Sequence, residues 1–419
     1  MASADTQPQG PTNDITTLAS DILTLTKSHQ DGSTNAASTA EIIAKAKQLI
    51  TTLQTPMDHA SSLLVSMVEP AVIRTLIAFK VLQTIPTSSE DSISLAELEQ
   101  KTGVQAALLQ RLLRVVVGTG FITSNGDGAY AHTTLSAPYA GGMIPTLFGA
   151  IYDELLPTLH LNEYFATHTH AEPDGPESTT HNPISWLAGE EGRMTAFDLM
   201  ERDPARLKNF HVLSSMAEHW RPVTGFYDYG ALASASTGED IGRVTLVDIG
   251  GGDGGILAKI LEAYPGLEAE QCVLQDRAPV IALAEGNTSL PEGVKKQVHD
   301  FYHPQPVQGA KAYHLRAITH DWSDSVVISI LKQIVPAMAA DSKVLIADNV
   351  LSEDVVGGES GLASMMDLLM MSMGGKERTR KDFERVCGEA GLVVERIWSS
   401  GETGERDVGG FAVVECRLK

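Results

Sequence analysis

A chain of 419 residues, 43% hydrophobic and 20% charged, has a globular composition and enough length for two or three cores. Its formal net charge of −22 excludes a large basic face for nucleic acid or an anionic membrane. Three scattered cysteines, Cys272, Cys387 and Cys416, offer neither a disulfide framework nor zinc-ligand spacing, so no metal is expected. Residues 1–10 lack the pattern of a signal peptide, and no window reads as a membrane span, so the expected compartment is the cytoplasm.

Residues 1–37, rich in Ser, Thr, Asp, Gln and Asn, read as a flexible polar arm. Ser38-Thr39-Ala40-Glu41 has capping-box form and opens a helix that runs to Gln54. Helical patterns over 71–84, 94–99 and 105–118, with Gly103 between the last two, give a helix-turn-helix. Residues 121–123 and 129–132, joined by Asn125-Gly126-Asp127-Gly128, add a tight hairpin. Residues 38–142 thus read as a winged-helix-like domain. Residues 1–150 carry 8 Lys and Arg against 12 Asp and Glu, which points to dimerisation rather than DNA binding. Residues 143–232 read as a helical linker and pocket region. Phe197 and Met216 are its candidate pocket-lining side chains, because Met adapts to flat ligands.

From residue 233 onward strands alternate with helices: 244–249, 272–275, 312–315, 344–347 and a closing strand 411–416. That pattern is α/β, a doubly wound, mostly parallel Rossmann-like sheet over 233–419. The first strand runs into Gly250-Gly251-Gly252-Asp253-Gly254-Gly255, where backbone can approach a nucleotide without a Cβ in the way. Gly250, Gly252 and Gly255 satisfy GxGxxG, and Asp276 ends the next strand where a ribose-binding acid belongs. The glycines alone leave an NAD-dependent oxidoreductase open. Downstream, His299-Asp300-Phe301 supplies an acceptor for an adenine amino group and an aromatic face, and His320 ends a strand in Arg316-Ala317-Ile318-Thr319-His320-Asp321-Trp322.

Taken in order, these segments resemble the plant and fungal caffeate-type O-methyltransferases, class I-like enzymes that use S-adenosylmethionine. They are residues 247–254, Leu274-Gln275-Asp276, His299-Asp300-Phe301, His320-Asp321-Trp322-Ser323-Asp324 and Gly374-Gly375-Lys376-Glu377-Arg378-Thr379. The resemblance covers most of the chain and implies a winged-helix dimerisation domain followed by a Rossmann-like methyltransferase domain. It implies that Gly250, Gly252, Asp276, Arg277, Asp300, Phe301, Arg316 and Trp322 surround the cofactor. Asp321, Met366 and Met370, with Phe197 and Met216, are assigned to a small-molecule acceptor, and the protein to a homodimer. Nucleic acid and membrane are not expected partners.

Methyl transfer to a phenol or enol needs a base near pKa ~6.5 beside the acceptor, and His320 is the candidate. Asp348, at the end of strand 344–347, is expected to fix its tautomer. Two positions depart from the family: Asp348 stands where Glu is usual, and the position of a second Glu falls on Arg380. These departures keep a second reading open, a pericyclase or dehydratase that retains the cofactor without transferring its methyl group.

Overall fold

A computed structural model describes residues 15–30, 36–88, 91–125, 128–168, 178–203, 206, 221–233, 242–353, 360–399 and 410–419. Met216 lies outside them, as do Gly126 and Asp127 of the expected hairpin turn and residues 1–14 and 31–35 of the expected arm. The chain divides into two units, Met1–Pro145 and Thr146–Lys419.

The first unit is helical with a small sheet. The arm is not wholly irregular: Ile15, Leu18, Ile22 and Leu25 fall on one helical face, and Ile15–Gln30 is a helix with Leu18 buried. It pairs with helix Ala36–Leu53, and Lys45 Nζ reaches Asp21 at 2.8 Å. Thr55 and Asp58 form a capping box at helix Pro56–Ala78. Ser94 and Glu97 form another at Leu95–Thr102, which ends on Gly103 at φ +72°. Helix Ala106–Gly118 follows, and β1 (Ile93–Ser94), β2 (Ile122–Ser124) and β3 (Ala129–His132) form an antiparallel sheet in the order β1-β3-β2. This is the expected winged-helix arrangement.

Helix Pro56–Ala78 overturns one expectation: its 23 residues are long and apolar enough, by length and composition, to cross a bilayer. Its inner face buries Val72, Ile73 and Leu76, while Met57, Leu63, Leu64, Val65, Met67 and Val68 are exposed.

The second unit is built on an eight-stranded sheet. Its strands are β4 (Leu246–Ile249), β5 (Cys272–Asp276), β6 (Lys295–Val298), β7 (Ala312–Arg316), β8 (Lys343–Leu351), β9 (Arg378–Thr379), β10 (Leu392–Ser399) and β11 (Gly410–Leu418). The order is β10-β11-β8-β7-β4-β5-β6, with β9 on β8. Strands β8-β7-β4-β5-β6 are parallel, whereas β11 and β10 run antiparallel. Strands β6, β9 and β10 were not legible in the sequence. β6 reads Lys-Lys-Gln-Val at a sheet edge, so it lacks the apolar run of a buried strand.

Residues alternate across the parallel strands. One face puts Val247, Ile249, Leu315 and Ile346 against helices Asp324–Ile334 and Arg380–Ala390. The other puts Leu246, Ala312 and Leu345 against helix Gly255–Ala263 and against Tyr227 and Tyr229. Cys387 and Cys416 meet with sulfurs 3.6 Å apart as buried free thiols. The strand order reverses at β4, so a crevice opens beyond the carboxyl ends of β4 and β7.

Candidate active site

The floor of that crevice is the glycine turn. Gly250, Gly252 and Gly254 have φ of +68°, +64° and +82°, a region costly for residues with a Cβ. A Cβ on Gly250 would stand 2.6 Å from Ile318 Cδ1, and one on Gly251 would collide with the Asp248 carboxylate. Asp276, at the end of β5, accepts from Gly252 N–H at 2.9 Å and Arg277 N–H at 2.7 Å. Burial raises its pKa above the usual carboxylate value.

A cleft of about 2480 Å³ runs from this turn to Met366 and Met370 on helix Ser360–Met373. It exceeds the span of a single drug-sized pocket, about 300–1,000 Å³, and so has room for a nucleoside cofactor and an acceptor together. Gly250, Gly252, Asp276, Arg277, Asp300, Phe301, Arg316 and Trp322 all line it, as do Phe197, His320, Asp321, Met366 and Met370. Phe197 lies beside Trp322 with ring centroids 5.6 Å apart, and Phe301 meets Trp322 edge-on at 6.0 Å. Arg316 is held by the carbonyls of Arg221 and Pro222 and lies over the Phe411 ring at 4.5 Å. Arg277 lines the cleft while its guanidinium pairs with Glu201 at 2.8 Å. Among the described residues, no group of three His, Cys, Asp or Glu is placed to hold a metal ion.

His320 sits on a short turn, Thr319–Asp321, between β7 and helix Asp324–Ile334. Ala317 enters it at φ +51°, a strained conformation for a residue with a Cβ. Residues 374–378 clamp the turn. Lys376 N–H donates to the His320 carbonyl at 2.8 Å, and a side chain on Gly375 would collide with that carbonyl. The buried Arg378 guanidinium donates to the carbonyls of Thr319 at 2.7 Å and Trp322 at 2.8 Å, and its Nε donates to Asp324 at 2.8 Å.

His320 Nδ1 lies 3.1 Å from Glu377 Oε1, which also accepts from Asn349 Nδ2 at 2.8 Å. Nε2 is 3.5 Å from Asp321 Oδ1. Burial alone would pull the imidazole pKa down, but Asp321, Glu377 and Asp348 together lift it to about 9. Burial pushes Asp321 up to about 6. Burial would raise Glu377 as well, yet the His320 cation and hydrogen bonds from His320 and Asn349 hold it below the usual carboxylate value.

Two expectations are corrected. Asp348 does not orient the imidazole: its Oδ2 accepts from Thr319 N–H at 3.1 Å and from the Thr319 hydroxyl, so it anchors the turn. Glu377 takes the Nδ1 position instead. Arg380 is not beside the histidine either; it is exposed and pairs with Glu384 at 3.0 Å. The acid expected at Arg380 is Glu377, three residues earlier, and it is the one carboxylate in Gly374-Gly375-Lys376-Glu377-Arg378-Thr379. Sequence reading also missed Asn349, Arg378 and Asp248, whose roles depend on pairings across the fold.

A doubly wound α/β fold with a glycine turn at its crevice and a carboxylate-held histidine lining the same cleft has the parts of a nucleoside-cofactor enzyme acting on a small molecule. The O-methyltransferase domain family matches residues 189–393, and the O-methyltransferase dimerisation domain family matches 57–141. Methyltransferase pvhD of Talaromyces variabilis is 31% identical over 342 residues, covering 81% of this chain and 92% of that protein. OxaC, solved with sinefungin and meleagrin, superposes with a TM-score of 0.82 at 26% identity, covering 98% of this chain and 100% of that one. A structure described as a pericyclic reaction enzyme superposes at 0.76 with 25% identity, covering 97% and 100%. The chain belongs to the S-adenosylmethionine-dependent O-methyltransferase family.

The cofactor is therefore S-adenosylmethionine, which settles the nucleotide that the glycine pattern left open. The residues fit it. The glycine turn leaves a cradle that side chains would fill, Asp276 at the end of β5 lines it with a carboxylate able to accept from hydroxyls, Asp300 and Phe301 add an acceptor and an aromatic face to the same cleft, and Asp248 keeps a buried oxygen with no hydrogen-bond partner among the described residues.

Proposed function

We propose that this chain is a cytosolic homodimeric O-methyltransferase acting on a phenolic or enolic small molecule of fungal secondary metabolism, with His320 as general base. The observation that carries the reading is His320, which has Glu377 on Nδ1 and lines the cleft that also holds the glycine turn. Glu377 fixes the Nδ1–H tautomer and stabilises the imidazolium formed when Nε2 takes the acceptor's proton. Phe197, Trp322, Met366 and Met370 offer a flat apolar bed to an aromatic acceptor, and Asp321 accepts a hydrogen bond beside the reacting oxygen. When bound, S-adenosylmethionine would supply a methyl carbon activated by its sulfonium, with the neutral thioether as the leaving group. The exposed apolar face of Pro56–Ala78, inside the matched dimerisation segment, is the surface a second copy would cover.

The test is incubation of the full chain with methyl-labelled cofactor and a panel of phenols and enols. Label is expected in the product, with S-adenosylhomocysteine released in equal amount, and His320→Ala should abolish both. Transfer that survives His320→Ala would remove the base assignment.

A second reading draws on the likeness to a pericyclic reaction enzyme and on the imidazole held protonated to about 9. An imidazolium facing the cleft suits acid-catalysed dehydration with the cofactor retained. That reading expects substrate turnover with no S-adenosylhomocysteine formed.

A further inference from the structure

Beneath the glycine turn lies a second buried histidine that methyl transfer does not use. Asp248 on β4 and His314 on β7 are register partners in the parallel ladder, so both side chains leave the sheet on the face that Tyr229 covers. His314 Nδ1 is 2.8 Å from Asp248 Oδ1, and His314 Nε2 is 3.2 Å from the Tyr229 hydroxyl. All three residues are buried to 1% exposure or less. Burial raises the Tyr229 pKa, so the phenol keeps its proton.

The donors and acceptors then fall into one order. The Tyr229 O–H donates to Nε2, and Nδ1–H donates to Oδ1 of the Asp248 carboxylate. Its second oxygen, Oδ2, is buried and has no hydrogen-bond partner among the described residues. Gly251 leaves the space that this oxygen occupies, since a Cβ there would collide with it. Asp248 also lines the cleft. A buried carboxylate with one oxygen unsatisfied is costly, and a hydrogen-bond donor bound in the cleft would satisfy it.

We propose that His314 and Tyr229 are positioning residues that hold the Asp248 carboxylate turned, with Oδ2 reserved for the ammonium group at the amino-acid end of the cofactor. Without the Nδ1–H bond, neither Asp248 oxygen would have a hydrogen-bond partner among the described residues, and nothing would fix which way the carboxylate turns. Tyr229 acts one step further back, by fixing which ring nitrogen carries the proton.

The inference rests on the cofactor assignment and not on whether the methyl group leaves, so its test is binding rather than turnover. Calorimetry on the full chain compares S-adenosylhomocysteine, which has the amino-acid end, with 5′-methylthioadenosine, which lacks it. His314→Leu is expected to weaken S-adenosylhomocysteine about tenfold or more and leave methylthioadenosine nearly unchanged. His314→Asn, whose amide N–H can stand near the Nδ1 position, should recover most of the loss, and Tyr229→Phe should cost only a few-fold. Equal weakening of both ligands, or no weakening of either, would overturn the assignment, and unchanged methylthioadenosine binding reports that the variant is folded.

Discussion

The unit Thr146–Lys419 holds two buried histidines, each with a carboxylate on Nδ1, and they are set up for different work. His314 has Asp248 on one nitrogen and the Tyr229 hydroxyl on the other, so neither ring nitrogen is left to exchange a proton with a ligand. His320 has Glu377 on Nδ1 and, on the cleft side, Asp321 at 3.5 Å, beyond a good hydrogen bond. The contrast teaches that an acid–histidine pair by itself is not a catalytic signature. What decides is the partner of the second nitrogen and whether that nitrogen meets the cleft.

The largest expected effect breaks the comparison outright. His320→Ala should lower methyl transfer by roughly 10²–10⁴-fold, the usual span of general-base catalysis, while calorimetry shows cofactor binding near wild type. His314→Leu should give the opposite pattern, with cofactor affinity lost and the maximal rate at saturation largely kept.

Glu377→Gln comes next, at about tenfold or more in kcat. Glu377 raises the His320 pKa, so removing its charge should move the rising limb of the pH–rate profile toward lower pH. A limb that stays in place would show that Glu377 acts only through packing.

A smaller effect concerns stability without cofactor. The folded His320 pKa, about 9, lies above the ordinary imidazole value of about 6.5. The imidazolium therefore stabilises the fold fully below pH 6.5, and this contribution is lost as pH rises through 9. Melting temperatures measured across that window should fall by several degrees for the native chain, and His320→Gln should flatten the fall.

Ala317→Gly has the smallest expected effect. It removes the cost of φ +51°, about 1 kcal/mol, and frees the unfolded chain by a similar amount, so thermal melts should change little. A large loss of activity in that variant would show that the turn's rigidity holds His320 in place.

Much of this molecule was legible from local patterns. The strand–glycine–helix unit at 244–261 is read from steric need alone, because only glycine fits the left-handed turn. The capping box at Ser94 and Glu97 and the apolar period of 106–118 are equally local. Order along the chain also put Asp276 and His320 at strand ends and singled out Phe301 between them, and the fold brings all three to one cleft. The exposed side of Pro56–Ala78 was harder to read, since an apolar helix looks the same in sequence whether its face is buried or open.

What sequence alone determined here is the class of site: a nucleoside turn, a pocket and a histidine beside it. Which carboxylate serves that histidine was decided by tertiary structure. Asp348 is 28 residues from His320 in the chain and Glu377 is 57 away. Yet β9 pairs in parallel with β8, and Gly375 lets the chain between helix Ser360–Met373 and β9 pass against the His320 turn. That close backbone approach delivers Glu377 to Nδ1 and leaves Asp348 to bind Thr319. The physical reason is that a hydrogen-bond partner is chosen at the scale of ångströms, by register and by the space a missing Cβ leaves.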